Sequence, residues 1–387
     1  MSLKRTNRLS LDSRMPSHRP STSRWSSHEP QLSPEQRQTL RRFSRNVIEA
    51  GITQLCKEFA QIQHLDTAPD CSNAVPSNLN RCRYRDVVCW DHTRVRLNNL
   101  NNDFIHANLV KHSTLPNEFI CCQGPLDSTA ADFWEMVWQE RTKLIIMLCQ
   151  TVEEKRNKCA QYWPKYPGES RQYGPFLVRN EMVDQTEPGL KRTHLIIRYN
   201  NDEHSVQHCQ WSAWKDRKAP KGCTMAFRLL AMARKRADWP TIVHCSAGVG
   251  RTGTLVLLAM LRGAILSPTM ENVSTLKLLR DLRTQRGQCI QTEDQYLYVH
   301  LAMLQYAVKS RAVTIEEVAG FVHDYENYLY HGEKPRRAMI SPVILMSPTE
   351  NRKTDSELDE RNKSFRVSFH TVPMHRLMAN LSPFRSR

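Results

Sequence analysis

The 387-residue sequence predicts an α/β fold, more strictly α+β, with helices flanking a central mixed, twisted sheet and a basic tail at each end. Three observations predict it. Strand-like runs alternate with turns between about residues 80 and 210. From residue 220 helical patterns follow one another, interrupted only by the short run Thr241–His244. Hydrophobic residues make up 40% of the chain, enough for a packed core across its middle.

The elements follow in order. Residues 1–30 are rich in Ser, Arg, Pro and His without aliphatic periodicity, which predicts a disordered tail. A helix starts at Ser33-Pro34-Glu35: serine caps, proline suits the first turn, and apolar residues recur at Leu40, Phe43, Val47, Ile48, Leu55 and Phe59. Phe119–Cys121, Leu144–Cys149 and His194–Tyr199 read as strands, and Ala131–Arg141 as a helix. Further helices are expected near 222–236, 251–264, 270–284, 292–309 and 314–329, with Thr241–His244 a buried strand among them. Residues 331–387 return to a Pro/Ser/Arg-rich composition and read as a second, mostly disordered tail. One domain over 31–330 is therefore expected between the tails 1–30 and 331–387.

The net charge is +16, of which the tails carry +4 and +5. The middle is basic too, which suits an anionic substrate or surface. The tails offer themselves to acidic partners, and no nucleic-acid motif accompanies them. The 12 cysteines are scattered singly apart from Cys121–Cys122, with no C-x-x-C and no zinc spacing, so no metal or cofactor is expected. Absence of an apolar run long enough to cross a bilayer, and of an apolar stretch near the start, points to reduced thiols in the cytosol or nucleus, with the cytoplasm preferred.

The chemistry concentrates in TIVHCSAGVGRTGTLVLLAM, Thr241–Met260. Gly248, Gly250 and Gly253 spell a dinucleotide-binding G-x-G-x-x-G. That reading needs a second strand closed by an acidic residue, and here helix follows helix. The alternative is Cys-x5-Arg. Small residues between Cys245 and Arg251 let successive N–H groups cradle an anion, and the following helix adds its positive end. The same field stabilises a thiolate, and Arg251 can grip two phosphate oxygens. Thiolate, anion nest and arginine in one turn suit attack on a phosphate monoester.

IVHCSAGVGRTG resembles the signature of the tyrosine-specific, non-receptor-like protein tyrosine phosphatases. The resemblance covers roughly residues 40–310 and recurs in order. NRCRYRDVVCWDHTRVRL is similar to the phosphotyrosine-recognition loop, NDFIHANLV to the D-Y-I-N-A segment, FICCQGPLDSTAADFWEMVWQE and KCAQYWP to core segments, and LRTQRGQCIQTEDQYLY to the glutamine loop. It implies a single catalytic domain, no metal, and phosphotyrosine-containing proteins as substrates. Cys245 becomes the nucleophile and Arg251 the phosphate ligand, with Ser246, Ala247, Gly248, Val249 and Gly250 lining the nest. His244 and Thr252 tune the thiolate through hydrogen bonds. Tyr84 stacks on the substrate ring and Asp86 accepts from the peptide backbone. Gln291 and Gln295 position the hydrolytic water. Glu154 and Lys158 match a charged pair on a neighbouring loop. The family's acid loop, Trp-Pro-Asp, aligns with Trp214-Lys215-Asp216, 29 positions before Cys245, which makes Asp216 the general acid. A decoy, Asp238-Trp239-Pro240, abuts the strand that leads to Cys245 and leaves no loop to swing.

The chain departs from the pattern at Lys215, where proline is usual, and at Arg217-Lys218. A lysine does not stiffen a loop as proline does, and three cations beside Asp216 depress its pKa. His106 replaces an Asn, Phe104 a Tyr and Cys82 an Asn. Two functions therefore follow from the sequence: an active tyrosine phosphatase, or a phosphotyrosine-binding module with little turnover because its acid loop reads Trp-Lys-Asp.

Overall fold

A computed structural model describes residues 32–62, 72–98, 102–220, 222–267 and 272–331. Both tails lie almost wholly outside the described residues, and with them the expected acidic-partner surfaces.

A nine-stranded sheet organises the chain. Its strands are β1 (Arg94–Arg96), β2 (Phe104–Val110), β3 (Phe119–Cys122), β4 (Leu144–Met147), β7 (Ser170–Tyr173), β8 (Phe176–Asp184), β9 (Leu190–Tyr199), β10 (Asp202–Trp211) and β11 (Thr241–His244). β5 (Val152–Glu153) and β6 (Arg156–Asn157) form a separate small hairpin. The sheet order is β1-β2-β3-β11-β4-β10-β9-β8-β7. The middle is parallel, β11 running alongside both β3 and β4 and β4 alongside β10, while both flanks are antiparallel. Val243 sits opposite Cys121 on one side and Ile146 on the other, and every residue of β11 is buried. A central parallel strand has both faces covered, so Ile242 and Val243 pack in the core and the polar Thr241 and His244 are buried with hydrogen-bond partners in Asn117 and Tyr162.

The helices are α1 (Pro34–Ile62), α2 (Ala130–Gln139), α3 (Thr224–Arg234), α4 (Gly250–Leu266), α5 (Thr275–Arg283), α6 (Glu293–Lys309) and α7 (Ile315–His331). α4 is buried from Gly250 through Leu261, with α1, α3, α5 and α6 packed around it. Being apolar on all sides, it can sit at the centre of a helical layer. α2 covers β7 and β8. The expected helices are present, α5 starting at Thr275 behind its Ser274 cap rather than at 270.

Two features differ from the expectation. α1 is interrupted at Gly51 (φ 63°, ψ 177°), a conformation available almost only to glycine, so one predicted helix is two segments. The antiparallel flank is also far larger than the single run His194–Tyr199. β9 and β10 pair over ten residues through a tight turn in which Asn200 has φ 53°. Asn tolerates that left-handed region, which makes the turn possible without glycine.

Candidate active site

The C-terminal ends of the parallel strands set the site. In an open parallel sheet, ligands bind in the crevice beyond those ends. β11 leads straight into Cys245, and α4 begins five residues later at Gly250. Asp238, the decoy acid, lies before β11 and so at its opposite end, as expected.

The loop is shaped by where its carbonyls go. Ser246 O accepts from Gly124 N (2.9 Å), Ala247 O from Arg286 Nη2 (3.1 Å), Gly248 O from Arg286 Nε (3.2 Å) and Val249 O from Ile290 N (3.0 Å). Every one of these partners lies outside the loop. In a trans peptide the N–H opposes the C=O, so carbonyls drawn outward turn the next N–H groups inward. The result is an anion nest around Cys245 Sγ, which accepts from Gly248 N at 3.2 Å. Gly248 adopts φ 73°, and a Cβ there would lie 2.0 Å from Cys122 O in β3. No other residue fits.

Arg251 is fully buried on the first turn of α4. It donates to both carboxylate oxygens of Glu153 (2.6 and 2.9 Å), to Trp214 O (2.8 Å) and to Asp216 Oδ1 (3.2 Å). Asp216 is held a second time by Lys158 Nζ, 2.7 Å from Oδ2. Burial raises the Asp216 pKa, but the Lys158 hydrogen bond, the charges of Arg251 and Lys158 and the Arg217 N–H outweigh it, so its carboxyl lies below the ordinary range. The acid loop is fastened on its far side too: Trp214 Nε1 donates to Lys218 O (2.6 Å), Thr292 Oγ1 to Arg217 O (3.2 Å), and Lys218 pairs with Asp294 at 3.3 Å. Lacking proline, the loop is held over the site by these ties.

Tyr84 and Ser246 share a 2.8 Å hydrogen bond, which makes the tyrosine a wall beside the nest. Asp86 is exposed, and its main-chain oxygen accepts from Gln288 Nε2 (2.9 Å). Gln291 Oε1 occupies the space beside Gly250, 2.5 Å from where a Cβ would be. Gln295 is buried, its Oε1 accepting from Gln291 N (2.9 Å) and its Nε2 unpartnered. The site residues expected from sequence therefore converge, with three corrections.

The first concerns Glu154. It is exposed in the turn of the β5–β6 hairpin with φ 49°, and it is Glu153 that reaches the site. Strand pairing of Glu153 with Arg156 leaves Glu154 and Lys155 as the turn, so Glu154 cannot face Arg251. The second concerns Thr252. Its hydroxyl is buried without a hydrogen-bond partner and makes no bond to Cys245. The third concerns His244, which bonds to the loop rather than to sulfur. Its Nδ1 lies 3.2 Å from Cys245 O and its Nε2 2.7 Å from Tyr162 OH, which in turn is 2.9 Å from His208 Nε2. Burial pulls the His244 pKa down to about 4, so it is neutral at physiological pH. A neutral imidazole donating to Cys245 O from Nδ1 accepts the tyrosine hydroxyl at Nε2.

Sequence reasoning missed Glu153 and Arg286. Arg286 is fully buried with no carboxylate partner among the described residues. It binds the two loop carbonyls, Asn108 Oδ1 (2.7 Å) and His106 Nδ1 (3.2 Å). His106, replacing the family's Asn, still serves as an acceptor: burial first and Arg286 second push its pKa down to about 3, and its Nε2 donates to Val87 O.

Comparison with known proteins bears on the whole assembly. The receptor-type tyrosine-protein phosphatase zeta of Rattus norvegicus is 31% identical over 339 residues, 82% of this chain and 14% of that protein. This chain thus spans a small part of the relative's length. Human tyrosine-protein phosphatase non-receptor type 7 is 33% identical over 264 residues, 66% of this chain and 71% of that protein. Among solved structures, the catalytic domain of human protein tyrosine phosphatase non-receptor type 18 superposes with a TM-score of 0.61 at 30% identity, covering 70% of this chain and 99% of that one. The complex of PTPN18 with HER2-pY1196 phosphopeptides gives 0.63 at 29%, over 69% and 99%. The family described as protein-tyrosine phosphatase matches residues 78–305. That match spans more than half of the chain and takes in the recognition loop, the acid loop, the Cys245 loop and the glutamine turn together: the chain belongs to the protein-tyrosine phosphatase family.

Proposed function

We propose that this protein hydrolyses phosphotyrosine in proteins through a cysteinyl-phosphate intermediate. One observation carries the reading: the Cys245 loop sends its carbonyls outward to Gly124, Arg286 and Ile290 while Arg251 is held bidentately by Glu153 beside Asp216. The nest, the cation and the acid are assembled before substrate arrives, which is how electrostatic preorganisation acts.

In the first step the phosphate dianion sits in the nest and on Arg251. The Cys245 thiolate attacks phosphorus, the P–O bond to the tyrosine ring breaks, and Asp216 delivers its proton to the departing phenolate. In the second step the Asp216 carboxylate takes a proton from a water held by Gln291 and Gln295. That water attacks phosphorus, the thiolate leaves, and inorganic phosphate is released. Asp216 must therefore begin protonated although Lys158 and Arg251 lower its pKa. The arriving dianion supplies the counterweight: it engages Arg251 and places negative charge beside the carboxyl, which raises its proton affinity.

Acid quenching during turnover of a phosphotyrosine peptide in EDTA is expected to trap phosphate on Cys245. Asp216→Ala is expected to lower kcat by about 10²-fold or more. A second reading, a phosphotyrosine binder with little turnover, is favoured by the double grip on Asp216 and by Lys215. A wild type that binds the peptide without releasing phosphate, and that Lys215→Pro awakens, would establish it instead.

The Lys158 contact makes a pH prediction. Lys158 lowers the Asp216 pKa, so Lys158→Met raises it and keeps the acid protonated to higher pH. The alkaline limb of kcat is expected to move to higher pH in that variant. An unmoved limb would remove Asp216 from the role of acid.

Human PTPN18 has been solved with HER2 phosphopeptides; by likeness, this chain takes phosphotyrosine segments of proteins. The described cysteines carry free thiols, which supports a cytosolic placement. No helix among the described residues is long and apolar enough to cross a membrane.

A further inference from the structure

Behind the Cys245 loop, His244, Tyr162 and His208 stand in a line. His244 Nδ1 lies 3.2 Å from Cys245 O, His244 Nε2 2.7 Å from Tyr162 OH, and Tyr162 OH 2.9 Å from His208 Nε2. All three side chains are fully buried. His208 belongs to β10, which β4 separates from β11, and no motif in the sequence marks it. Burial above all, then the nearness of His244 and Lys191, pushes its pKa well below the ordinary histidine range. Like His244, it is a neutral imidazole.

Proton counting fixes the direction of the line. A carbonyl oxygen only accepts, so Cys245 O needs the hydrogen on His244 Nδ1. A neutral imidazole has one N–H, so His244 Nε2 accepts and Tyr162 donates to it. A hydroxyl has one hydrogen, so Tyr162 has none left for His208, and His208 Nε2 must donate to the tyrosine oxygen. His208 Nδ1 is then a bare acceptor, and it has no partner among the described residues. Its surroundings suit that state. The Trp163 ring stacks on His208 with centroids 4.5 Å apart, Thr193 is its cross-strand neighbour, and Asn180 Nδ2 donates to Pro164 O beside Trp163. Each of these three side chains has a buried polar atom without a partner. Trp163 Nε1 and Thr193 Oγ1 can donate to a bare nitrogen; only Asn180 Oδ1 cannot.

We propose that His208 is a positioning residue for the Cys245 loop: its Nε2–H compels the Tyr162 hydroxyl to point at His244, which locks His244 in the tautomer that holds Cys245 O. The consequence for the site follows from the peptide plane. Cys245 O drawn back to His244 turns Ser246 N–H the opposite way, into the nest. Without the His208 N–H, Tyr162 is free to accept from His244 Nε2. His244 then gives up its Nδ1–H, and the carbonyl is released. Hydrogen bonds in such a line also strengthen one another, so His208 is felt two groups away. For its effect on turnover, and only there, the inference rests on the phosphotyrosine reading above.

The test reads tautomers by nitrogen NMR in the full chain carrying isotope-labelled histidine, the two residues being assigned by loss of their signals in His208→Gln and His244→Gln. Wild type is expected to show His208 protonated at Nε2 and His244 at Nδ1. His208→Leu is expected to move His244 to the Nε2–H tautomer. It is also expected to lower orthovanadate affinity, and kcat/KM on a phosphotyrosine peptide, by about tenfold, the worth of one buried hydrogen bond to the loop. His208→Gln has an amide that can still donate to Tyr162. It is expected to keep His244 at Nδ1–H and both constants within about threefold of wild type. A packing role alone would move Tm and leave the His244 tautomer where it was. Wild-type His208 protonated at Nδ1 would overturn the inference with no variant needed, even where His208→Leu fails to fold. So would a His208→Leu chain that keeps His244 at Nδ1–H, or a His208→Gln chain that loses as much vanadate affinity as His208→Leu. The expected tautomers and vanadate affinities in a chain that releases no phosphate would bring down the hydrolytic reading and leave the role of His208 standing.

Discussion

Arg251→Lys is expected to lower kcat/KM on a phosphotyrosine peptide by about 10³- to 10⁵-fold, the range seen when an arginine that holds transition-state charge is lost. The charge survives the substitution, so the loss measures geometry. Arg251 uses one nitrogen for Glu153 and Trp214 O, and the other for Glu153 and Asp216. A planar fork can keep Glu153 and Trp214 O and, once Nη2 lets go of Asp216, present that N–H in parallel with the unpartnered Nε–H to phosphate; an ammonium on a flexible stem cannot. The side chain is fully buried, so a shorter cation would also leave Glu153 partly unpaired in a dry site. A large loss of kcat/KM with a Tm lowered by only several degrees is the expected pattern. A Lys variant within tenfold of wild type would show that charge alone suffices and that the bidentate frame is structural.

The loop that carries Arg251 was legible in the sequence because its chemistry is local. Cys245, the nest and Arg251 occupy seven consecutive residues between a strand and a helix, so no long-range contact is needed to read them. The central strand β11 was legible for a related reason: a short run with the β-branched Thr241, Ile242 and Val243 before a glycine-rich turn has few other places to go. Glu153 was not. Two glutamates are adjacent, and only the register of a two-residue hairpin decides which one faces Arg251. Arg286 lay further out of reach. Nothing near it in sequence marks a buried arginine, and its partners are loop carbonyls and two side chains of β2, far away in the chain. The antiparallel flank was under-read because β10 is built from polar residues such as Asp202, Glu203 and Gln207. Its burial alternates only through pairing with β9 and β4. The acid loop sits between these cases. Asp216 was identified by likeness, but the ties that replace proline join residues up to 76 positions apart.

Gly248→Ala is expected to lower kcat by about 10²-fold or more, since displacing a reacting group by an ångström can cost that much. The methyl group would sit 2.0 Å from Cys122 O, 2.3 Å from Cys122 C and 2.7 Å from Gln123 N. All three are backbone atoms. They belong to β3 and the residue after it, and β3 is paired with both β2 and β11. Nothing flexible can yield, so the Cys245 loop must. Moving it breaks the Gly248 N–H contact to Cys245 Sγ and the two Arg286 bonds to Ala247 O and Gly248 O. The positive φ adds a strain of about 1 kcal/mol on its own. Gly51→Ala separates strain from clash. Gly51 has φ 63° in the α1 kink, and a methyl group added there would meet nothing within 4 Å. That variant is expected to lose stability by about 1–3 kcal/mol while keeping full kcat and full affinity for orthovanadate, an anion the nest would hold. Gly248→Ala is expected to lose vanadate affinity together with kcat. Retained vanadate binding in Gly248→Ala would mean that the loop tolerates the shift and that its inward N–H groups are not what holds the anion.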